Sequence, residues 1–238
     1  MREGRDGMTV LLFLFVLVCV VMSGCSLGPP LVISKVVTER VVERQMPASA
    51  PSLPDTLATA WRATVFVRVN VGKTDESCGS GVLVAPNRVL TAGHVINHGE
   101  RAAIKLIFTD GATFAGRVYK VNLPNELAMI GFEGHVSIEP VSLASESPAF
   151  LSSVWNIGAP ECHPGYVSDG RWGILDRTDH KRIFTGGMMW PGMSGGPVVD
   201  AQGDVVGINQ AVWADDEHTI IPGMGRVVDW KTIKEFLQ

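Results

Sequence analysis

Apolar and polar side chains alternate along much of the chain after residue 62. The run TVFVRV at residues 64–69 shows this alternation, and further short apolar runs lie at residues 103–108 and 117–121. Glycine, asparagine or proline separates many of these runs. Because successive side chains of a strand point to opposite faces, such a pattern predicts half-buried strands joined by turns. The alternation after residue 62 therefore favours β-barrels over a helical bundle.

The pattern changes at both ends of the chain. Residues 230–237, WKTIKEFL, place apolar side chains at helical spacing, which predicts a short C-terminal helix. Residues 9–22 form an uncharged and almost wholly apolar run. This run is shorter than the roughly 20 residues that a membrane-spanning helix needs, and Ser-Gly-Cys follows it at residues 23–25. It is therefore interpreted as an export signal.

Small residues before Cys25 resemble the end of a bacterial lipoprotein signal. The resemblance implies a signal peptide at residues 1–24 and a lipid on Cys25, which would tether the protein to the membrane of a bacterial cell envelope. In a host with two membranes this means the outer membrane or the periplasmic face. An ordinary secretory signal cut nearby, which would leave the protein secreted, and an uncleaved anchor remain the alternatives.

Residues 25–54 would then form the lipidated N-terminus and a spacer. Three prolines, Pro47, Pro51 and Pro54, lie among alanines and serines in this segment, and proline-rich sequence stays extended. Residues 55–238 form the predicted folded domain.

Composition narrows the function classes. Of the 238 residues, 46% are hydrophobic and 18% are charged, which provides for a sizeable core. The formal net charge is −4, and no block of basic residues occurs, so nucleic-acid binding has little electrostatic support. The sequence predicts neither a cofactor nor a metal site.

Two motifs carry the candidate chemistry. His94 lies in TAGH at residues 91–94, and Ser194 lies in GMSGGP at residues 192–197. A serine hydroxyl is a poor nucleophile at neutral pH and needs a base such as histidine to take its proton. The backbone N–H groups of Gly192 and Ser194 are candidates for an oxyanion hole, because glycines let a turn aim such donors at one point. The pair predicts a serine hydrolase.

The order histidine then serine, with the flanking sequences, resembles the trypsin/chymotrypsin superfamily and most closely its HtrA-like bacterial branch. The matching stretches are GSGVLV at residues 79–84, NRVLTAGHV at 87–95, GMSGGPVVD at 192–200 and GDVVGIN at 203–209. The resemblance covers about residues 62–238. It implies an all-β fold of two six-stranded antiparallel barrels, the second beginning near Val141, with a short C-terminal helix. It also implies serine endopeptidase activity, and the remaining length leaves no room for a PDZ domain.

The third member of the catalytic triad is where this chain departs from the family. The stretch NELAMI at residues 125–130 resembles the strand that the family's aspartate opens, but it carries glutamate at position 126. The acid accepts the imidazole N–H and fixes its tautomer, and Glu126 is predicted to do this. The alternatives are that Glu126 is a solvated charge and that Asp110 or no acid orients His94.

The resemblance places the floor of the specificity pocket about six residues before the nucleophile. That position falls on Met188, followed by Met189 and Trp190. These residues include no acid to bind lysine or arginine, and methionine side chains are adaptable and apolar. The sequence therefore predicts a preference for medium-sized apolar side chains.

Two cysteines remain in the predicted folded domain, Cys78 and Cys162. In many relatives a cysteine near position 78 bonds to one just after the histidine, but here that follower is Val95. The resemblance puts Cys162 near the same edge of the site, which allows a disulfide with Cys78, while two buried thiols remain the alternative. A zinc site involving His163 is disfavoured because structural zinc usually takes four ligands.

These features predict a serine endopeptidase that hydrolyses exported or envelope proteins through a Ser-His-Glu triad and a backbone oxyanion hole. Its expected partners are polypeptide substrates and a membrane reached through a lipid anchor, with no nucleic acid. One alternative is a weak or inactive protease-fold lipoprotein that binds other proteins in its cleft. Another is a structural envelope lipoprotein whose barrels only present a surface.

Overall fold

The computed structural model describes residues 54–71, 75–97, 102–173, 182–185, 187, 189–214 and 219–238. Contacts divide the chain into two units, residues 1–43 and 44–238, and the described residues belong to the second unit. The predicted signal peptide, Cys25 and nearly all of the predicted spacer lie outside the described residues. Among the helices that are described, none is long and apolar enough to span a membrane.

Twelve strands and three α-helices make up the described secondary structure. The helices are α1 (Asp55–Ala63), α2 (Gly93–Ile96) and α3 (Trp230–Leu237). The strands are β1 (Thr64–Val71), β2 (Asp75–Ala85), β3 (Arg88–Ala92), β4 (Ala103–Phe108), β5 (Thr113–Asn122), β6 (Leu127–Phe132), β7 (Ser153–Gly158), β8 (Tyr166–Gly173), β9 (Arg182–Thr185), β10 (Pro197–Val199), β11 (Val205–Ala214) and β12 (Ile220–Asp229). A 3-10 turn, Pro160–Cys162, follows β7.

The strands close into two antiparallel barrels. The first has the strand order β1-β2-β3-β6-β5-β4, and the second has the order β10-β11-β12-β9-β8-β7. The predicted all-β fold of two six-stranded barrels with a short C-terminal helix is confirmed. Closure gives each described strand two neighbours in its barrel.

Alternation along β1 accounts for the filling of the first barrel. Val65, Val67 and Val69 are completely buried, and Arg68 between them is only half-buried. Phe108, Phe114 and Phe132 pack against one another with ring centroids 4.8–5.6 Å apart. Burial of these side chains supplies the hydrophobic stabilisation that closes the barrel.

The start of the second barrel differs from the sequence expectation. Its first strand is β7, so residues near Val141 belong to the connection between the barrels. Val141 is nevertheless buried, and its N–H donates to the carbonyl of Leu83 in the first barrel at 2.9 Å. An apolar residue in a connecting segment that packs on a core has the same sequence pattern as a strand, which explains the difference.

The terminal helices pack through apolar faces at helical spacing. In α1, Leu57, Ala60 and Trp61 are buried. In α3, Ile233 and Phe236 are buried, and the Asp229 carboxylate caps the helix by accepting from the Thr232 N–H at 3.0 Å.

Backbone hydrogen bonds join the barrels where the two motifs meet. The Ser80 N–H of β2 donates to the Ser194 carbonyl at 2.7 Å, and the Gly195 N–H donates to the Asn209 carbonyl of β11 at 2.7 Å. One continuous cluster of buried apolar residues includes Val82 and Leu90 of the first barrel and Ile157 and Ile208 of the second. Residues 190–196 carry the predicted nucleophile Ser194 and are called the nucleophile loop below. This loop is therefore fixed against strands of both barrels.

Candidate active site

His94 lies in α2, the short helix that directly follows β3. Its neighbours Gly93 and Val95 are buried, whereas 46% of the His94 side chain is exposed. The turn from a buried strand into one turn of helix thus presents the imidazole at the surface while its backbone is anchored in the core. A base in this position is accessible to a substrate.

Glu126 contacts His94 from the turn between β5 and β6. Its Oε2 lies 2.9 Å from His94 Nδ1 and also accepts from the His94 backbone N–H at 3.2 Å. The Glu126 carbonyl accepts from the Gly93 N–H at 2.9 Å. The backbone and the side chain of Glu126 therefore both bind the first residues of α2. Glu126 has φ of 56°, a left-handed conformation that few non-glycine residues adopt. The structure brings this predicted pair together.

The hydrogen bond to Glu126 sets the tautomer of the imidazole. An ionised carboxylate only accepts hydrogen bonds, so the contact with Glu126 Oε2 requires a proton on His94 Nδ1. The neutral ring then has a lone pair on Nε2, where a general base must have it. Asp110, the alternative acid, accepts from the Ala112 N–H at 2.8 Å in the turn between β4 and β5.

Ser194 lies in the nucleophile loop between β9 and β10. Its hydroxyl donates to the Gln210 carbonyl of β11 at 3.1 Å. Within the described residues no hydrogen bond joins this hydroxyl to the His94 ring, although catalytic hydrogen bonds are often loose until a substrate is bound. Residues next to each motif lie around Gly79, because a Cβ there would contact both the Val95 side chain and the Ser194 carbonyl.

Two glycines let the nucleophile loop make its tight turn. Gly192 and Gly195 have φ of 92° and 88°, values that favour glycine. A Cβ on Gly192 would overlap the Ala159 carbonyl, and a Cβ on Gly195 would overlap the Ser80 carbonyl and the Thr91 hydroxyl. Both positions therefore combine a left-handed backbone with a close approach that only glycine allows.

The N–H groups of Gly192 and Ser194 are the predicted oxyanion donors. Within the part of the chain that the structure describes, neither the Gly192 N–H nor the Ser194 N–H has a hydrogen-bond acceptor. The carbonyl of Pro191 accepts from the Glu161 N–H at 2.7 Å. Because a trans peptide directs its C=O and N–H in opposite directions, this bond turns the Gly192 N–H away from the 3-10 turn.

Cys78 and Cys162 are joined by a disulfide in the structure, with their Cα atoms 5.8 Å apart. Cys78 belongs to β2, and Cys162 ends the 3-10 turn that contacts Pro191. Glu161 and Cys162 both have left-handed backbones, with φ of 47° and 64°. The bond thus connects a first-barrel strand to the turn beside Gly192.

The predicted specificity residues are only partly described. Met188 lies outside the described residues. Met189 is buried in the second barrel beside Trp172, Val198 and Val227, and a Cβ on Gly225 would overlap its sulfur. Trp190 is half-buried, and its carbonyl accepts from the Met193 N–H at 3.1 Å. Met189 therefore presents little surface to a substrate in this structure.

A groove on the surface of the described residues lies apart from the predicted site residues. A groove of about 490 Å³ is lined by residues of the segments 144–153 and 200–204, with none of the predicted site residues among them. The described residues contain no group of three or more His, Cys, Asp or Glu side chains that could hold a metal ion.

Two groups that contact the nucleophile loop were not predicted from the sequence. The Gln210 carbonyl accepts from Ser194, and the Ser80 hydroxyl donates to the Gly192 carbonyl at 2.8 Å. A backbone carbonyl leaves no signal in the sequence. Ser80 had one, since a small polar residue between Gly79 and Gly81, directly before the apolar half of its strand, needs a partner where it is buried.

Similarity to known proteins agrees with this architecture. The chain is 30% identical over 200 residues to "Putative serine protease HhoA" of Synechocystis sp., covering 79% of this chain and 49% of that protein. It is 29% identical over 166 residues to "Periplasmic serine endoprotease DegP" of Salmonella typhimurium, covering 66% and 34%. The chain thus spans about half or less of the length of these relatives.

Solved structures of proteases share the fold. The active form of the Rv3671c protease from M. tuberculosis aligns with a TM-score of 0.66 at 18% identity, covering 81% of this chain and 88% of that one. The HtrA-type protease AlgWS227A with a tripeptide aligns with a TM-score of 0.66 at 22% identity, covering 77% and 61%. At the level of sequence, the family model of the trypsin-like peptidase domain matches residues 79–208, more than half of the chain. The chain therefore belongs to the trypsin-like peptidase domain family.

Proposed function

We propose that the protein is a serine endopeptidase in which Ser194 is the nucleophile, His94 the general base and Glu126 the residue that orients His94. The observation that carries the proposal is the 2.9 Å contact between His94 Nδ1 and Glu126 Oε2. The N–H groups of Gly192 and Ser194, which have no acceptor within the described residues, support it. Polypeptides are the substrate class, as for the serine proteases among its relatives.

The first chemical step is acylation. The Ser194 hydroxyl turns from the Gln210 carbonyl toward His94 Nε2 and attacks the carbonyl carbon of the scissile peptide while Nε2 takes its proton. Glu126 stabilises the imidazolium that forms. The N–H groups of Gly192 and Ser194 donate to the oxygen of the tetrahedral intermediate, which carries the developing negative charge.

Collapse of the intermediate releases the amine and leaves an acyl-enzyme. His94 gives its proton to the leaving amine, and the bond between the carbonyl carbon and nitrogen breaks. A water molecule then attacks the ester with His94 again as base, and Ser194 recovers its proton as the acid product leaves. No cofactor or metal takes part in this sequence of steps.

We further propose that the enzyme works at a bacterial cell envelope, held there by a lipid on Cys25. The support is the short apolar run before Ser-Gly-Cys at residues 23–25, together with similarity to a relative named as a periplasmic endoprotease. Its substrates would then be exported or envelope proteins. The absence of an acid at residues 188–190 supports cleavage beside apolar side chains.

One observation favours a second candidate, a protease-fold lipoprotein that binds partners without cleaving them. The Ser194 hydroxyl bonds the Gln210 carbonyl at 3.1 Å rather than His94. A binding protein that lacks turnover would keep this arrangement with a peptide in its cleft, whereas an enzyme would exchange it for the bond to His94.

Incubation with unfolded casein tests the proposal. The full chain in mild detergent should degrade casein, while Ser194→Ala and His94→Ala should each abolish nearly all turnover without loss of fold by circular dichroism. Because triad residues act as a unit, the double variant should be little worse than either single one. Casein that stays intact with wild type but binds to it would favour the second candidate.

A further inference from the structure

The Ser80 side chain bridges two segments beside the candidate oxyanion hole. It is fully buried, its hydroxyl donates to the Gly192 carbonyl at 2.8 Å, and it accepts from the Ala159 N–H at 2.9 Å. A hydroxyl has one proton to donate and lone pairs to accept with. Its donor and an acceptor site are thus both used by backbone groups of the second barrel.

Hydrogen bonds from Glu161 and Ser80 restrain the two peptides on either side of Gly192. The carbonyl before it, that of Pro191, is held by the Glu161 N–H, and its own carbonyl is held by Ser80. Since each peptide is planar, holding the two carbonyls fixes both dihedral angles of Gly192. The Gly192 N–H lies in the peptide that the Glu161 bond holds, and the Ser80 bond holds the peptide that follows. Glycine is the residue most free to turn, so the N–H keeps its direction only while both peptides are held.

The space around Ser80 accommodates only a small side chain. A Cβ on Gly158 would lie 3.1 Å from the Ser80 Oγ, and a Cβ on Gly196 would lie 3.1 Å from the Ser80 Cβ. The Ser80 carbonyl is also occupied, because the Thr91 hydroxyl donates to it at 2.6 Å. A small side chain with a hydroxyl meets these conditions, whereas alanine would leave the Gly192 carbonyl and the Ala159 N–H unpaired.

We propose that Ser80 is a positioning residue for catalysis. By holding the Gly192 carbonyl it fixes the Gly192–Met193 peptide, and together with the Glu161 bond to the Pro191 carbonyl this keeps the Gly192 N–H directed at the oxyanion of the transition state. The inference rests on the proposed endopeptidase function and extends it to a residue outside the triad. Ser80 does not touch the substrate. It acts through Gly192, so its loss should affect the transition state more than substrate binding.

The test compares steady-state kinetics of the full-length wild type and Ser80→Ala with a fluorogenic peptide chosen from a cleavage site in casein. Loss of a direct oxyanion donor costs about 100- to 1,000-fold in kcat. An indirect effect should be smaller, and we expect kcat to fall about 10- to 100-fold with KM changed less than about threefold. Affinity for a peptide boronic acid, whose tetrahedral adduct on Ser194 has an oxygen in the oxyanion hole, should fall with kcat.

Thr109→Val is the matched control, because the buried Thr109 hydroxyl also donates to a backbone carbonyl, that of Arg62 at 2.8 Å. It should lower the melting temperature without lowering kcat of the folded enzyme. If Ser80→Ala does not fold, Ser80→Gly replaces it. Glycine leaves room for a water molecule at the hydroxyl position, so its kcat should be reduced, but less than about tenfold.

Two results would overturn the positioning role. One is kcat equal to wild type in a folded variant without the Ser80 hydroxyl, and the other is a loss of kcat that Thr109→Val shares. Failure of the endopeptidase proposal is a distinct outcome, in which the wild type itself neither cleaves casein nor binds the boronic acid.

Discussion

At the scale of single residues, the contact between the side chains of His94 and Glu126 carries the proposed chemistry. The positions of His94 and Glu126 followed from their motifs, and the structure brings their side chains within 2.9 Å. The sequence could not show that Glu126 would take a left-handed backbone or that the Ser194 hydroxyl would bond the Gln210 carbonyl. Both depend on loop geometry and on a backbone carbonyl, which side-chain identity does not encode.

Substitutions of Glu126 test its role with His94. Glu126→Gln keeps the size of the side chain but can donate to Nδ1, which would favour the wrong tautomer, so kcat should fall by orders of magnitude. Glu126→Asp keeps the charge but is one methylene shorter, and it should retain more activity than Glu126→Gln. The measurement is kcat/KM on the peptide substrate. Unchanged kinetics in Glu126→Gln would remove this residue from the triad.

Gly192→Ala tests the backbone donor of the proposed oxyanion hole. The added Cβ would overlap the Ala159 carbonyl and lie 3.0 Å from the Cys162 N–H, so the loop must shift and kcat should fall about 100-fold or more. Gly111→Ala is the control, because Gly111 has φ of 89° and no atom within 4 Å of its Cβ position. An equal loss of kcat in both variants would show that backbone strain, and not the donor, is responsible.

At the scale of elements, the sequence predicted strands and the C-terminal helix where periodicity was strong. β1, with its inward-facing valines, and α3, with Ile233 and Phe236 one turn apart, are examples. The boundary between the barrels was misplaced because Val141 is buried without belonging to a strand. The 3-10 turn at Pro160–Cys162 had no periodic signal at all, although it contacts the nucleophile loop.

The disulfide between β2 and this turn gives a prediction about stability. It closes a sequence separation of 84 residues, and removing such a bond typically costs about 2–4 kcal/mol, largely through the unfolded state. Cys78→Ser, Cys162→Ser and the double variant should lower the melting temperature by similar amounts, since each removes the same bond. Mass mapping of non-reduced protein checks the pairing, and two alkylatable thiols in the wild type would refute it.

At the scale of the whole molecule, the two-barrel fold was predicted from the family resemblance more than from the hydrophobic pattern. Alternation alone predicts strands and barrels, but it does not determine how many barrels form or where the site lies between them. The order of His94 and Ser194 supplied that information through the family resemblance. In the structure, backbone hydrogen bonds of Ser80 and Asn209 hold the nucleophile loop against both barrels. The predicted role of Met188, Met189 and Trp190 in specificity stays a prediction. Neither pattern nor resemblance indicated that Met189 is buried against Gly225.

Attachment to a membrane is predicted to depend on Cys25. In a bacterial host, radiolabelled palmitate should enter the wild type but not Cys25→Ser, which should fractionate as soluble protein or retain its signal. The physical reason is that acyl chains on one cysteine anchor a protein whose apolar run is too short to span. Wild type that takes up no palmitate would contradict the lipoprotein proposal.

The most direct test of the central claim is to map the adduct formed by a fluorophosphonate probe on the full chain by tandem mass spectrometry. The account predicts one stoichiometric adduct on Ser194, abolished in Ser194→Ala and greatly slowed in His94→Ala, because the reagent reports a serine that a base has activated. Labelling of Ser194→Ala equal to that of wild type, or no labelling of the folded wild type, would contradict it.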